Sequence, residues 1–294
     1  MPTVHLDNRA LVSVAGADAE HFLQNILTTD LDKLSRGEAK PGALLTPQGK
    51  IMFDFLVSRA GADGFRLECR AEVADDFVRR LTLYRLRAKA EITKENQDTV
   101  AISWGSDSAS LQIDSTTSQT GSSVRDSRFP ADAAVIRTYS VLPPANVDGL
   151  AWDQTRIANG IAESGDDYAL GDAFPHDVLL DETGGVGFGK GCYVGQEVVS
   201  RMHHRGTARR RVLIVKAAAA LPPAGADITA GGRSIGSLGT SIGTDGLAIV
   251  RIDRVKDAVD AGQEILAGDV PVALTIPVWA RFKFPAAPAT AEGA

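Results

Sequence analysis

Cysteine is nearly absent from this chain, with two residues in 294, Cys69 and Cys192. Two thiols exclude the disulfide framework of a small secreted domain and the paired knuckles of a structural zinc site, and they suit a reducing compartment. Nor does any run approach the roughly 18 apolar residues that a membrane span requires. The opening "MPTVHLDNRALVSVAG" has neither a basic stretch ahead of an apolar one nor an Arg-rich amphipathic presequence. A soluble cytoplasmic protein with no membrane partner is therefore expected. Positive charge is in deficit too. Lys and Arg number 31 against 37 Asp and Glu, a formal net charge of -6, which excludes a general nucleic-acid binder.

What the chain does contain is 44% hydrophobic residues, enough for two or three domains with their own cores. "RALVSVAG" alternates like a strand, and "ADAEHFLQNILTTDL" sets Phe22, Leu23, Ile26 and Leu27 on one helical face behind Asp18 as cap. "GALLTPQGKIMFDFLVSRAGADGFRLECR" reads as three strands turned at 47–49 and 61–64. Residues 72–87 read as an amphipathic helix through Val73, Phe77, Leu81 and Tyr84, and "AEITKE" and "TVAISWG" return to strand. The polar "DSTTSQTGSSVRDSRFP" reads as a loop or boundary, "AAVIRTYSVL" as a strand and "GLAWDQTRIANGIAE" as a helix. Strands and helices in this order describe an α+β region. Beyond Gly206, short β runs separated by glycines fit a small all-β barrel, and "PAAPATAEGA" reads as a disordered tail.

Charge is unevenly spread. From Val198 to Lys216 there is no acid, while Arg201, Arg205, Arg209, Arg210, Arg211 and Lys216 are basic; an anionic ligand is the sharper reading of that run. A second basic cluster, "RRLTLYRLRAK", reads as a solvated helix face.

Beside the first run stands "KGCYVGQEVVSRMHHRG" (190–206), where Cys192 sits among glycines and charges rather than in an apolar run. "GGVGFGK" (184–190) has the glycine and lysine spacing of a phosphate loop, but Gly191 follows where Ser or Thr would hold magnesium. Cys192, His176, His203 and His204 lack the spacing of a structural zinc site, and no metal centre internal to the chain is expected; one thiolate contributed to a cluster shared with another molecule obeys no internal spacing rule. A reactive thiol remains. Lys190 two residues away and a helix beginning at "GQEVVSRM" both favour a thiolate, with His203 or His204 as candidate base.

"KGCYVGQE" resembles the signature of the YgfZ family of folate-binding, glycine-cleavage-T-like proteins. "FLQNILTTDL", "LLTPQGKIMFDF", "DSRFP", "RIANGIA" and "FPHDVLLD" follow that family's order, so the resemblance covers the chain up to its tail. It implies an α+β, aminomethyltransferase-like folate-binding fold of two ferredoxin-like halves around a central cavity, plus a C-terminal all-β barrel. The first half would be 1–40 with 131–205, the second 41–130, the barrel 206–284 and the tail 285–294. It implies tetrahydrofolate as ligand and a monomer that assists assembly or repair of iron–sulfur clusters in client enzymes such as the tRNA methylthiotransferase.

Carried over residue by residue, the resemblance makes Cys192 and Lys190 the reactive centre. It makes Trp152, Arg9, Tyr193, Gln196, Glu197 and Arg201 folate-binding residues; the basic residues from 201 to 211 suit the glutamyl tail or RNA equally, and the net charge of -6 favours the tail. Two positions depart from the pattern. Arg9 stands where some relatives have a second tryptophan, so either its guanidinium covers the pterin or that contact is missing. Ala158 stands where glycine-cleavage aminomethyltransferases carry a pterin-holding glutamate, leaving Asp54 and Glu197 as substitutes. An aminomethyltransferase or demethylase is the alternative activity, and a scaffold with a vestigial folate cavity is a third reading.

Overall fold

The computed structural model describes residues 1–96, 99–105 and 123–285. Its contacts divide into two compact units, the first formed by Met1–Trp152 with Ala169–Gly206 and the second by Asp153–Tyr168 with Thr207–Ala294.

The first unit is built on a nine-stranded sheet. In chain order its strands are β1 (Thr3–Leu6), β2 (Arg9–Ala15), β3 (Glu38–Leu45), β4 (Ile51–Ala60), β5 (Gly64–Arg70), β6 (Glu91–Lys94), β7 (Val100–Ser103), β8 (Ser123–Asp126) and β9 (Ile136–Thr138). They lie side by side as β1-β7-β9-β8-β3-β4-β5-β2-β6. The expected meander is present as β3, β4 and β5, paired antiparallel. A parallel pairing of β3 with β8 joins it to β9, β7 and β1, and β2 with β6 extends it beyond β5. Helices α1 (Ala19–Gln24) and α2 (Ala74–Arg85) bury Phe22, Leu23, Phe77 and Leu81 in one core with Phe53, Phe55 and Leu67. The Phe77 ring stacks on Phe53 at 5.0 Å and on Phe55 at 5.5 Å, aromatic packing that adds to simple burial.

Three local expectations need correction. Helix α1 stops after six residues; Ile26 and Leu27 are buried beyond its end, Leu27 through a bridge to Leu44. Asp18 does not cap it, because its carboxylate accepts the backbone N–H of Lys89 at 2.7 Å. The polar segment read as a loop contains β8, whose Val124 and Asp126 are buried in alternation with half-buried neighbours. The earlier part of that segment, through 122, and 286–294 of the expected tail lie outside the described residues.

Helix α3 (Gly149–Asn159) is where expected, with Trp152 in its first turns, and α4 (Gln196–Arg205) follows the signature.

In the second unit, β10 (Arg210–Ala217), β11 (Asp227–Ala230), β12 (Arg233–Ile242), β13 (Asp245–Arg251), β14 (Ile265–Ala267) and β15 (Val270–Thr275) close into a barrel ordered β10-β13-β12-β11-β14-β15. Closure removes every open edge. Gly236 makes it possible where β12 meets β13, since a Cβ there would lie 2.2 Å from the Ile249 carbonyl oxygen. Helix α5 (Ile252–Asp260) packs Ile252, Val255 and Ala258 into the barrel core. Sequence reading missed it by continuing "GLAIVRID" as strand, although the apolar spacing of three from Ile252 was its signal. Arg211 turns inward over the Phe282 ring, 4.9 Å from its centroid, so it leaves the basic run assigned to an anion.

Candidate functional site

Two motifs of the first unit, "LTTD" at 27–30 and "GGVGFGKGC" at 184–192, are far apart in sequence and are bound together. Thr28 donates through Oγ1 to the Gly185 carbonyl at 2.7 Å and accepts the Ala43 N–H at 2.9 Å, while its own carbonyl accepts the Gly187 N–H at 2.8 Å. Lys190 Nζ then donates to the carbonyls of Leu27 at 2.6 Å and Thr29 at 2.8 Å. A side chain at 187 would strike Asp30 Cβ at 2.8 Å, so glycine is required for this approach. The lysine is thus an anchor whose ammonium is committed to backbone oxygens. The phosphate-loop reading fails for the same reason, and turns rather than a strand precede the loop.

The loop is fixed on its other side as well. Tyr193 is 7% exposed beneath the Lys190 ammonium, which stands 5.4 Å from the ring centroid, and burial pushes its hydroxyl up to about 12. Gly195 begins α4 at φ +78°, and a Cβ there would meet the Thr46 carbonyl oxygen at 2.5 Å. A Cβ on Gly49, at φ +82° in the β3–β4 turn, would meet Val198 of α4 at 2.9 Å. Two left-handed glycines therefore let the hairpin turn and the helix start touch backbone to backbone. Between these anchors Gly191 and Cys192 are exposed.

Burial also depresses the Lys190 ammonium to about 8, against the opposing pull of Asp30 and Asp32. Between that value and its ordinary 10.5 the unfolded chain holds a proton that the folded chain has released, so stability rises with pH across this window. Thermal unfolding midpoints of wild type and Lys190→Met, followed from pH 7.5 to 10, should diverge with the wild type gaining. Solvent contact at the part-exposed ammonium limits the gain to about 1–2 kcal/mol; parallel curves would show that the amine does not titrate there.

Around the same loop the His203 ring of α4 stacks on Phe188 at 3.7 Å, and His176, 1% exposed, lies 6.1 Å from Phe188 and 6.3 Å from His203. His204 meets His203 edge-on at 5.5 Å. Among the described residues no three His, Cys, Asp or Glu side chains gather as metal ligands. Gln196 is half-buried, and Glu197 and Arg201 are exposed on α4, 3.7 Å apart as an i,i+4 pair.

Trp152 and Arg9 belong to a different place, a buried charge network that sequence reading did not find. Arg9 Nε donates to Glu68 Oε1 at 2.8 Å; Arg137, fully buried, also donates to Glu68 and reaches Asp126 at 2.9 Å; Arg128 reaches Asp126 at 2.7 Å; and Tyr139 donates to Glu68 at 3.1 Å. Desolvation pushes both carboxylates up, but the neighbouring guanidiniums outweigh it and hold Glu68 below its usual range and Asp126 at about 2. Trp152 is 2% exposed, flanked by Trp104 at 5.8 Å and Phe129 at 5.4 Å with the Arg137 guanidinium 5.8 Å from its ring. It has no exposed face for a ligand to stack on, and Arg9 is spent on Glu68. Only "DSRFP", which contributes Asp126, Arg128 and Phe129, signalled this network in the sequence.

In the second unit, Arg156 is 1% exposed and bound by Asp153 at 2.7 Å and Asp167 at 2.9 Å, and Ala158 is exposed. Asp54 is half-buried on β4, in register with Ala43 of β3.

Against known proteins, residues 6–125 match the GCVT N-terminal domain and residues 209–282 match the CAF17 C-terminal β-barrel domain. The fold is similar to that of the glycine cleavage system aminomethyltransferase T from Bartonella henselae, with a TM-score of 0.74 over 95% of this chain and 86% of that one at 16% identity. The aminomethyltransferase-like fold with a C-terminal barrel is therefore established.

The human mitochondrial iron–sulfur cluster assembly factor IBA57 is 30% identical over 90% of this chain and 83% of its own length. Its mouse counterpart is 30% identical over 85% and 78%, and the homologue of Coccidioides immitis 30% over 88% and 73%. These relatives are mitochondrial, which overturns the expected cytoplasmic location; scarce cysteine does not tell one compartment from another. They also shift the resemblance from YgfZ to a related group: with the human protein matched at 30% identity over most of both lengths, the chain belongs to the family of the iron–sulfur cluster assembly factor IBA57.

Proposed function

We propose that this protein assists assembly or repair of iron–sulfur clusters, with the Cys192 thiolate as its point of exchange. The observation that carries the reading is the contrast between the two thiols. Cys192 is exposed on a loop anchored at both ends, whereas Cys69 is 0% exposed and burial pushes its thiol up to about 12. Each iron of a cluster takes thiolate or comparable protein ligands, four for a two-iron cluster. One accessible thiol supplies one of them, so the rest come from a second molecule, and the cluster is shared rather than owned. The step is ligand substitution: the thiol loses its proton, its sulfur bonds to iron, and the ligand it replaces leaves without change of oxidation state. Client enzymes that use such clusters, of which a tRNA methylthiotransferase is one, are the receiving partners. In cells lacking the protein, Cys192→Ser should fail to restore cluster-enzyme activity while Cys69→Ser restores it.

Tetrahydrofolate is the finer part of the expectation and has less support. Stacking on Trp152 or Arg9 does not fit, because the first has no exposed face and the second is bound to Glu68. The aminomethyltransferase alternative lacks the carboxylate at Ala158. We expect anaerobic calorimetric titration with tetrahydrofolate to give no saturable heat in the micromolar range. Binding that weakens in Trp152→Ala would restore the folate reading.

A further inference from the structure

Helix α2 carries a feature that neither the core nor Cys192 uses. Its buried face, Ala74, Phe77 and Leu81, packs on the sheet. Its other face exposes Leu83 at 67%, and Leu86, the residue just past its end, is 85% exposed. From Arg79 to Ala90 there is no acid, and Arg79, Arg80, Arg87 and Lys89 are exposed around the two leucines. On a chain of net charge -6 this is a concentrated patch of the minority sign. An open groove of about 580 Å³, lined by Gly16, Arg85, Ala88, Lys89 and Glu91, runs beside it.

The cations alone have an ordinary explanation, since positive side chains suit a helix C-terminus, and Arg85 donates to the Ala90 carbonyl at 3.1 Å. The leucines have none. Leu86 stands at the helix end with φ +49°, a conformation that favours glycine. Leu86 therefore holds a strained backbone conformation while its side chain lies in water.

We infer that this face of α2 docks an acidic amphipathic segment of a partner protein, with apolar side chains on Leu83 and Leu86 and carboxylates on Arg80, Arg87 and Lys89. A second copy of the chain would bring like charges together. An anionic bilayer is disfavoured because two leucines offer little area to insert and because Asp75 and Asp76 are exposed at the other end of the same helix. Single-stranded RNA would call for exposed aromatic faces, and Tyr84 is half-buried.

The test uses the full chain in cells with a photo-crosslinking p-benzoylphenylalanine at position 83. The same probe at Leu150, 59% exposed on α3, serves as control. Adducts are digested and sequenced. The expected product joins position 83 to a protein segment with excess Asp and Glu around apolar residues, in a yield at least about tenfold above the control. Arg80→Glu with Arg87→Glu should remove that excess, and Arg80→Gln with Arg87→Gln should reduce it in between, both with unchanged thermal unfolding. A yield equal to the control, or adducts with a second copy, lipid, nucleic acid or a segment lacking acidic excess, would overturn the inference.

Discussion

Glu68→Gln should cost about 3–5 kcal/mol of stability, and more than Arg137→Met, although Arg137 is as deeply buried and bonds both carboxylates. The reason lies in the charge count. Among the described residues, three guanidiniums, Arg9, Arg128 and Arg137, bond to two carboxylates, Glu68 and Asp126. Arg66, over the Tyr139 ring at 4.7 Å, is answered by Glu95 at 3.6 Å. Removing Arg137 leaves Arg9 with Glu68 and Arg128 with Asp126, and loses its own bonds to the two carboxylates, its packing and a cation–π contact, about 1–3 kcal/mol. Removing the Glu68 charge takes from Arg9 and the fully buried Arg137 a carboxylate that both bond, and leaves Tyr139 donating to a neutral amide. Guanidinium chloride unfolding of the two variants distinguishes this order from one set by contact number.

The sign with pH follows from the same network. The Asp126 carboxyl is held at about 2, below its ordinary 3.8. Its contribution is therefore complete above about pH 4 and lost as pH falls through 2.

Cys192→Ser should abolish rescue of cluster-enzyme activity while leaving stability within about 0.5 kcal/mol of wild type. The substitution replaces one small exposed side chain by another, and among the described residues no bond that anchors the loop passes through Sγ. The fixing contacts belong to Thr28, Lys190, Tyr193 and Gly195. A hydroxyl is not ionised near neutral pH and is a poor ligand for iron in a cluster. Loss of function with retained folding therefore points to the sulfur itself. The converse holds for Gly195→Ala, where the left-handed φ and the approach to Thr46 make the loss structural.

Much of this was legible in the sequence, and for physical reasons. Strands β2 to β5 declared themselves by alternation and by glycine turns, and the barrel by its spacing of short β runs. The signature marked Cys192 and the start of α4, because an exposed thiol among glycines has no packing role to disguise it. What stayed hidden was pairing at a distance. Nothing local shows that Lys190 reaches back to Leu27 and Thr29, so its position beside Cys192 suggested activation where the fold uses it to anchor. Nothing local shows that Arg9 and Glu68, on neighbouring strands, meet Arg137 and Asp126 from elsewhere in the sheet. Trp152 looked like a stacking platform for the same reason: its spacing was visible and its neighbours Trp104 and Phe129 were not. Helix α5 was lost because a β-rich run just before it continued the pattern of the barrel.

The most direct test of the central claim is anaerobic loading of the purified protein with ferric iron and sulfide in the presence of glutathione, which can supply the missing thiolates. Visible charge-transfer absorption and iron content are read for wild type, Cys69→Ser and Cys192→Ser. Wild type and Cys69→Ser should hold a cluster that co-elutes with the protein, and Cys192→Ser should hold none. A cluster retained undiminished by Cys192→Ser, or none bound by the wild type, would contradict the assignment of Cys192 as the point of exchange.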